Sequence, residues 1–475
     1  MAAREWEVLR GLASMETNLL RQGDREDSGR AVRALLNLLA LADQASENAG
    51  IPFNEPAKEQ DFYFHARRRL MSLGLGSSLC ERIPHARGRV LPKMHTGQSG
   101  LTLRSLSHHL AFCPPSEIIP KWRPFDTPAR DQHFLNLLLV PWPPTISRNS
   151  FTENSVPGSS PRNMPDDFGY FNYEPEAAGG AAAHIAKCLE ACPSSRFPHG
   201  VVLPELALDP REYESVREAV LAKGAFLLCG VAEKSASAES PAINRLHFDV
   251  ALTDAEPDLI RFISLTQTKH HRWMLDGAQI DQYGLRDYLQ RDRLWWEYCD
   301  FRDREQNIAC IRNWLAIAPL ICEDLARPDP IQEIVRSIGP NLVVALLMDG
   351  PQLQTRWSRR YASVLSDDPG CSVLTLTSVG MIKLTEEKYP RKKRAHRIIA
   401  LWQDRLNPPR EIGLSDDSDA VLLRIAKTAR REWTADGRSD GNGSFYAIIE
   451  DYAHDVLQIR TGATRKSRAT STGGT

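Results

Sequence analysis

Long apolar runs are missing from this chain. The longest near the N-terminus, Ala34–Ala42, is interrupted by Asn37, and a membrane-crossing helix needs about 20 apolar residues. The first residues, MAAREWEVLRGL, carry acidic side chains and no apolar segment before a small-residue cleavage site, so no signal peptide is expected and a cytoplasmic protein is. Neither sign of charge is in excess. Lys and Arg number 59 against 60 Asp and Glu, a net charge of -1, which argues against a chain-wide basic field, so nucleic acid is not an expected partner. No Cys-x-x-Cys pair occurs. The nine cysteines are scattered and odd in number, so reduced thiols are expected, buried or catalytic rather than bridged. Gly437–Gly443 lacks the Gly-Lys-Ser/Thr ending of a phosphate loop, and Gly97-Gln98-Ser99-Gly100 has the wrong spacing for a serine-hydrolase elbow. His184, Cys188 and Cys192 share a helix face, but the outer two lie about 12 Å apart along a straight helix. One ion with ligands at about 2.0–2.3 Å cannot take all three. Neither a metal nor a cofactor is expected.

What is present is ordinary for a globular protein: 475 residues, 42% hydrophobic and 25% charged, enough for at least one large core. Residues 1–130 read as a helical extension and connector. A helix is expected over 28–48, where Leu35, Leu36, Leu39 and Ala42 recur near helical spacing, another over 57–73 ending at Gly74, and a third within Leu101–Phe112 of the Pro-, Gly-, His- and Arg-rich stretch that follows. From residue 134 the pattern changes. Phe134–Val140 reads as a buried strand stopped by Pro141, followed by a helix over 181–192 and a strand at Val201–Leu203. Asp209 and Pro210 are suited to start a helix with Tyr213, Val216 and Val220 on one face, closed by Gly224. Strand Ala225–Val231, a hairpin over 246–268, strand Leu315–Ile321, a helix begun at Asp329-Pro330, strand Leu342–Met348, helix 356–366 and strand Ser372–Thr377 continue the alternation. Strands alternating with helices make an α/β domain, placed at 131–460. The small, polar tail 461–475 is expected to be disordered.

Three chemistry-bearing residues fall at strand ends, where α/β folds gather functional groups. Glu205 follows Val201–Pro204, Lys269 follows Leu259–Thr268, and Cys322 follows Leu315–Ile321. Together they form a complete set. A carboxylate can take a thiol proton, a thiolate is a strong nucleophile, and an ammonium beside a backbone N–H can hold an oxyanion.

The segments Leu203-Pro204-Glu205-Leu206, Thr268-Lys269-His270-His271 and Ile321-Cys322-Glu323-Asp324-Leu325, with Arg327-Pro328 after the last, resemble the three signature segments of the nitrilase, or carbon–nitrogen hydrolase, superfamily and occur in that family's chain order. The Cys-Glu-Asp-Leu wording is closest to glutaminase-type members attached to NAD synthetases, although no synthetase module follows. The resemblance implies a four-layer αββα sandwich; the sequence pattern places the smaller, mostly helical N-terminal region before it. The resemblance implies Glu205 as general base, Lys269 as transition-state stabiliser and Cys322 as nucleophile; the Glu323 backbone N–H, next to the nucleophile, is suited to help hold an oxyanion. The resemblance also implies hydrolysis of a small amide, carbamoyl compound or nitrile through a thioester, and a homodimer.

The chain departs from that pattern in two places. Family members usually carry a second glutamate shortly after the lysine. Here only Asp276 and Gln279 lie nearby, and Glu297, in Trp295-Trp296-Glu297-Tyr298, would have to fold back. The interval from Lys269 to Cys322 is also long, which suggests an insertion rich in Trp, Arg and Asp. Trp295-Trp296 suits either core packing or a pocket wall. The basic run Lys388–Arg397 reads as a solvated loop, with phosphate docking as the alternative. A rival to the enzyme reading is a catalytically weak ligand-binding or signalling module whose N-terminal region engages a protein partner in a multi-component system, as members of this superfamily do in bacterial defence.

Overall fold

In the computed structural model of the chain, the described residues are 2–13, 25–52, 78–80, 82–98, 100–125, 133–154, 165–175, 179–234, 240–251, 262–386, 397–441 and 443–462. The helix expected at 57–73, most of the basic run and nearly all of the tail lie outside them.

The short apolar runs become buried strands. Leu315–Ile321, Leu342–Leu346 and Ser372–Leu376 are buried at every position, as parallel strands covered on both faces must be. They pair in parallel at the centre of a seven-stranded sheet, ordered Arg410–Gly413, Ile398–Gln403, Ser372–Leu376, Leu342–Leu346, Leu315–Ile321, Glu305–Arg312, Ile119–Pro124. A second sheet of eight strands runs Phe262–Thr268, Ile243–Ala251, Phe226–Glu233, Gly200–Val202, Phe134–Leu139, Ala420–Arg430, Ser444–Ile448, with Val456–Ile459 also paired to Ala420–Arg430.

Strand alternation divides each run between two cores. Leu135, Leu137 and Leu139 join Ile317, Val343 and Ile308 in the core between the sheets. Leu138 and Val140 point the other way, against helices Ala181–Glu190 and Pro210–Leu221. Each such buried Leu or Val contributes roughly 1.5–3 kcal/mol relative to exposure. Helices Glu333–Ile338 and Trp357–Asp367 pack on the seven-stranded sheet's side of the molecule. The layers run helix, sheet, sheet, helix, the expected αββα order. No helix among the described residues is long and apolar enough to cross a membrane.

Local signals are mostly realised. Asp209 accepts hydrogen bonds from the Arg211 and Glu212 amides, with Pro210 in the first turn, and Gly224 takes a left-handed φ of 73°. Ile331, Ile334, Val335 and Ile338 are buried. Regular helix there begins only at Glu333, after a wider turn over 328–332 in which Asp329, preceding a proline, is held extended.

Two expectations in the N-terminal third fail. Leu101–Phe112 holds only a short 3-10 turn, Leu103–Leu106, before strand Leu110–Cys113 pairs with Arg89–Pro92. The connector also supplies a strand to the main sheet: Ile119–Pro124 pairs in parallel with Glu305–Arg312, so the domain draws on residues before 131. The sequence IPKWRP hides this strand behind two prolines. An edge position tolerates them because one side of the strand needs no ladder donors, and Trp122, fully buried, anchors the strand through its indole N–H to the Gly50 carbonyl at 2.6 Å.

Part of the insertion joins two strands from before residue 175 in a small separate sheet. Phe151–Glu153, Phe168–Tyr173, Leu294–Glu297 and Met274–Leu275 form four strands around Phe151, Phe171, Trp273, Tyr283 and Trp295. Trp295 is therefore core. A Cβ at Gly169 would stand 2.6 Å from its ring, so that position must be glycine. Trp296, partly exposed, packs against Phe168.

At the end of the strands opposite Cys322 lies a buried polar network. Asp43, at the end of helix Arg25–Ala45, accepts hydrogen bonds from the Ser107 hydroxyl, from the His108 and His109 amides at 2.9 and 2.8 Å, and from Arg438 at 2.8 Å. Glu432 accepts from the Thr96 amide at 2.6 Å and the Tyr446 hydroxyl at 2.5 Å, and lies 3.0 Å from His95 Nδ1. The N-terminal helix and the C-terminal strands are joined through this network.

Candidate functional site

Glu205 is held in place by backbone. The Gly230 amide donates to the Pro204 carbonyl at 3.0 Å, and the Ala207 amide donates to the Gly230 carbonyl at 3.0 Å. A Cβ at Gly230 would fall 2.6 Å from the Glu205 Cα, so the close approach requires glycine. Lys269 is fixed from the neighbouring strand pair, its amide donating to the Asn244 carbonyl at 3.0 Å. Cys322 ends the strand Leu315–Ile321 and has φ 43°; Leu206, directly after Glu205, has φ 52°. Among the described residues Asn48 alone joins them as a non-glycine residue with positive φ. Such backbone costs roughly 1–3 kcal/mol per residue and is kept where the surroundings impose it.

The side chains converge. Lys269 Nζ lies 2.9 Å from Glu205 Oε1 and 2.5 Å from Glu297 Oε2. Asn244 Nδ2 donates to Glu205 Oε1 at 2.7 Å and to Glu297 Oε1 at 3.0 Å. The Trp273 amide donates to Glu297 Oε2 at 3.2 Å. Lysine, two glutamates and asparagine thus close a ring, with each of the four residues at most 5% exposed. Glu205 Oε2 and Asn244 Oδ1 are buried and have no hydrogen-bond partner.

The electrostatics follow from burial and from two carboxylates sharing one cation. Burial raises the Glu205 carboxyl; Lys269 opposes this, Glu297 adds to it, and the net direction is upward. Burial would lower the Lys269 ammonium, but Glu205 and Glu297 reverse that and hold it well above its usual range. The Cys322 thiol is pushed well up, first by burial and then by Glu205, with Lys269 opposing. Burial thus opposes ionisation of both the thiol and the Glu205 carboxyl, while the two glutamates favour the charged form of the lysine.

Of the three candidates for a second carboxylate, Glu297 stands against Lys269. The small sheet folds it back: strand Leu294–Glu297 pairs antiparallel with Met274–Leu275, and the Glu297 amide donates to the Trp273 carbonyl at 2.8 Å. Asp276 and Gln279 are occupied with each other, as a reciprocal cap on helix Gly277–Tyr283, with Asp276 Oδ1 accepting from the Gln279 amide at 2.8 Å and Gln279 Oε1 from the Asp276 amide at 3.1 Å. Their polar groups serve the helix terminus.

Two participants were not foreseen. Asn244 sits in an unremarkable strand, INRLHFDVA, and carries no local signal. Asp324 stands in the Cys-Glu-Asp-Leu segment with no local sign of its partners. Fully buried, it accepts from the His270 amide at 3.2 Å, from the His271 amide at 3.0 Å and lies 3.0 Å from His271 Nδ1. It ties the cysteine segment to the lysine segment, which gives a physical reason for the two to occur together.

A cavity of about 220 Å³ opens beside the ring, walled by Asn244, Glu297, Leu206, Tyr173, Tyr298 and Cys299. Glu205, Lys269 and Cys322 do not line it, and Cys322 is only 2% exposed.

No protein-family model matches the chain, and no curated protein does. Solved structures similar to it include nitrilase-superfamily members. One is an amidase of that superfamily from Nesterenkonia AN1, at 9% identity and TM-score 0.35, the match covering 62% of this chain and 92% of the other. A carbon–nitrogen hydrolase from Helicobacter pylori G27 matches at 13% identity and TM-score 0.34, over 62% and 90%. The glutamine-dependent NAD+ synthetase of Acinetobacter baumannii matches at 9% identity and TM-score 0.35 over 67% of this chain, which spans 48% of the synthetase. At these values the likeness speaks to neither substrate nor activity.

Proposed function

We propose that the chain is a cysteine hydrolase of small, non-peptide carbon–nitrogen compounds: amides, carbamoyl compounds or nitriles. The observation that carries this is the buried ring of Lys269, Glu205 and Glu297, with one oxygen of Glu205 left unpartnered and Cys322 held at φ 43° within electrostatic reach.

With an amide, Glu205 Oε2 takes the Cys322 proton as sulfur bonds to the carbonyl carbon. The carbonyl electrons move to oxygen, where the Lys269 ammonium and the Glu323 backbone N–H hold the charge. The intermediate collapses, the C–N bond breaks, and the leaving nitrogen takes the proton back from Glu205 and departs as ammonia or an amine. A thioester remains on Cys322. Water then attacks it, giving a proton to Glu205. The C–S bond breaks, the acid leaves and the thiolate recovers that proton. Glu297 takes no proton in this scheme; it fixes Lys269. Screening ammonia release over amide, carbamoyl and nitrile compounds tests the proposal. Release by the wild type and its loss in Cys322→Ala are expected, and full release by that variant would overturn it.

The near-complete burial of Cys322 and its separation from the cavity favour a second reading, a binding module that holds an amide-like ligand without turning it over. Saturable binding by calorimetry with no turnover, in wild type and Cys322→Ala alike, distinguishes it.

A further inference from the structure

The geometry points to Asn244 as a positioning residue: its side-chain amide, wedged between Glu205 and Glu297, selects which oxygen of Glu205 serves as the base. This rests on the proposed role of Glu205 and adds a residue to it.

An amide nitrogen has two N–H donors, and both are spent here, one on Oε1 of each glutamate, at 2.7 Å and 3.0 Å. The reverse orientation would face a carbonyl oxygen to two carboxylates, so the network itself fixes the assignment. Glu205 Oε1 consequently receives two donors, Asn244 and Lys269, the latter at 2.9 Å. Oε2 receives none. A proton entering this carboxylate meets a saturated oxygen on one side and an open one on the other. Asn244 also separates two buried carboxylates that would otherwise share only Lys269, and its own backbone carbonyl holds the lysine's amide at 3.0 Å. One residue thereby sets the orientation of the base, the spacing of the acids and the anchor of the cation.

Removing the amide takes a donor from Glu205 and brings the two carboxylates into direct conflict, so the proton is held to higher pH and the base is lost sooner on acidification. The test reads the base without needing the natural substrate: the rate of Cys322 alkylation by iodoacetamide against pH, followed by peptide mass spectrometry on the full chain. In wild type the rate should fall on acidification with a midpoint set by Glu205, and Glu205→Gln should abolish that midpoint. In Asn244→Ala the midpoint should move up by about one pH unit. Asn244→Ser, which keeps one donor, should fall between and serves the comparison if the alanine variant does not fold. A lowered melting temperature with an unmoved midpoint overturns the inference alone. A wild-type Cys322 whose rate shows no midpoint removed by Glu205→Gln overturns both the base and the inference.

Discussion

Two buried charge clusters stand at opposite ends of the same strands, and they are built to opposite rules. At one end every carboxylate oxygen of Asp43 and Glu432 is engaged, by Ser107, His109, His108 and Arg438 in the first case and by His95, Tyr446 and Thr96 in the second. Burial would raise the Glu432 carboxyl, but His95, Tyr446 and Thr96 bring it down to about 2. At the other end Glu205 keeps an oxygen without a partner and its carboxyl is raised. Complete satisfaction makes a clamp, whereas a deliberate vacancy in a buried network leaves a group ready to take a proton. The positive φ at Leu206 and Cys322 belongs to the second cluster.

Substitutions should separate the two. The largest effect is expected from Glu205→Gln, which should lower turnover roughly 10²–10⁴-fold while leaving the melting temperature unchanged or higher, since Lys269 keeps Glu297. A large loss of stability there would break the contrast. Glu432→Gln should do the reverse, costing about 3 kcal/mol in denaturant unfolding with unchanged turnover per folded molecule. Its pH dependence follows from the direction of the shift. The carboxyl is lowered from 4.5 to about 2 on folding, so its stabilisation is complete above pH 4.5 and drains away as the pH falls towards 2, and the acid-unfolding curve of Glu432→Gln should lack that limb. Glu297→Gln should cost turnover roughly 10²-fold through a misplaced Lys269. Asp276→Ala, which removes only a helix cap, should cost about 1 kcal/mol and leave turnover intact; a large loss of turnover there would reopen the question of the second carboxylate.

The clusters also differ in how they are written in the sequence. Glu205 and Lys269 each follow a strand with a clear apolar pattern, so their meeting could be expected from strand ends and motif order, and Cys322, which ends a third such strand, lies within electrostatic reach of both. Glu297 could be named only as the most distant of three candidates, because its approach depends on a four-stranded sheet whose strands, two to six residues long, carry weak periodicity. Asn244 was illegible, since a polar residue at a strand end has no marker beyond its position. The clamp was illegible for another reason: Asp43 and Arg438 are separated by 395 residues, and no local pattern reports a pairing at that range. The strand Ile119–Pro124 was missed because edge strands escape the rules that apply to central ones.

The role of Cys322 as nucleophile is tested most directly by the intact mass of the protein during reaction with an amide or nitrile that it turns over. A transient gain equal to the acyl group is expected, mapped to Cys322, which accumulates when thioester hydrolysis is slowed and is absent from Cys322→Ala. Turnover without any adduct on Cys322, or an adduct that persists in Cys322→Ala, would contradict that role.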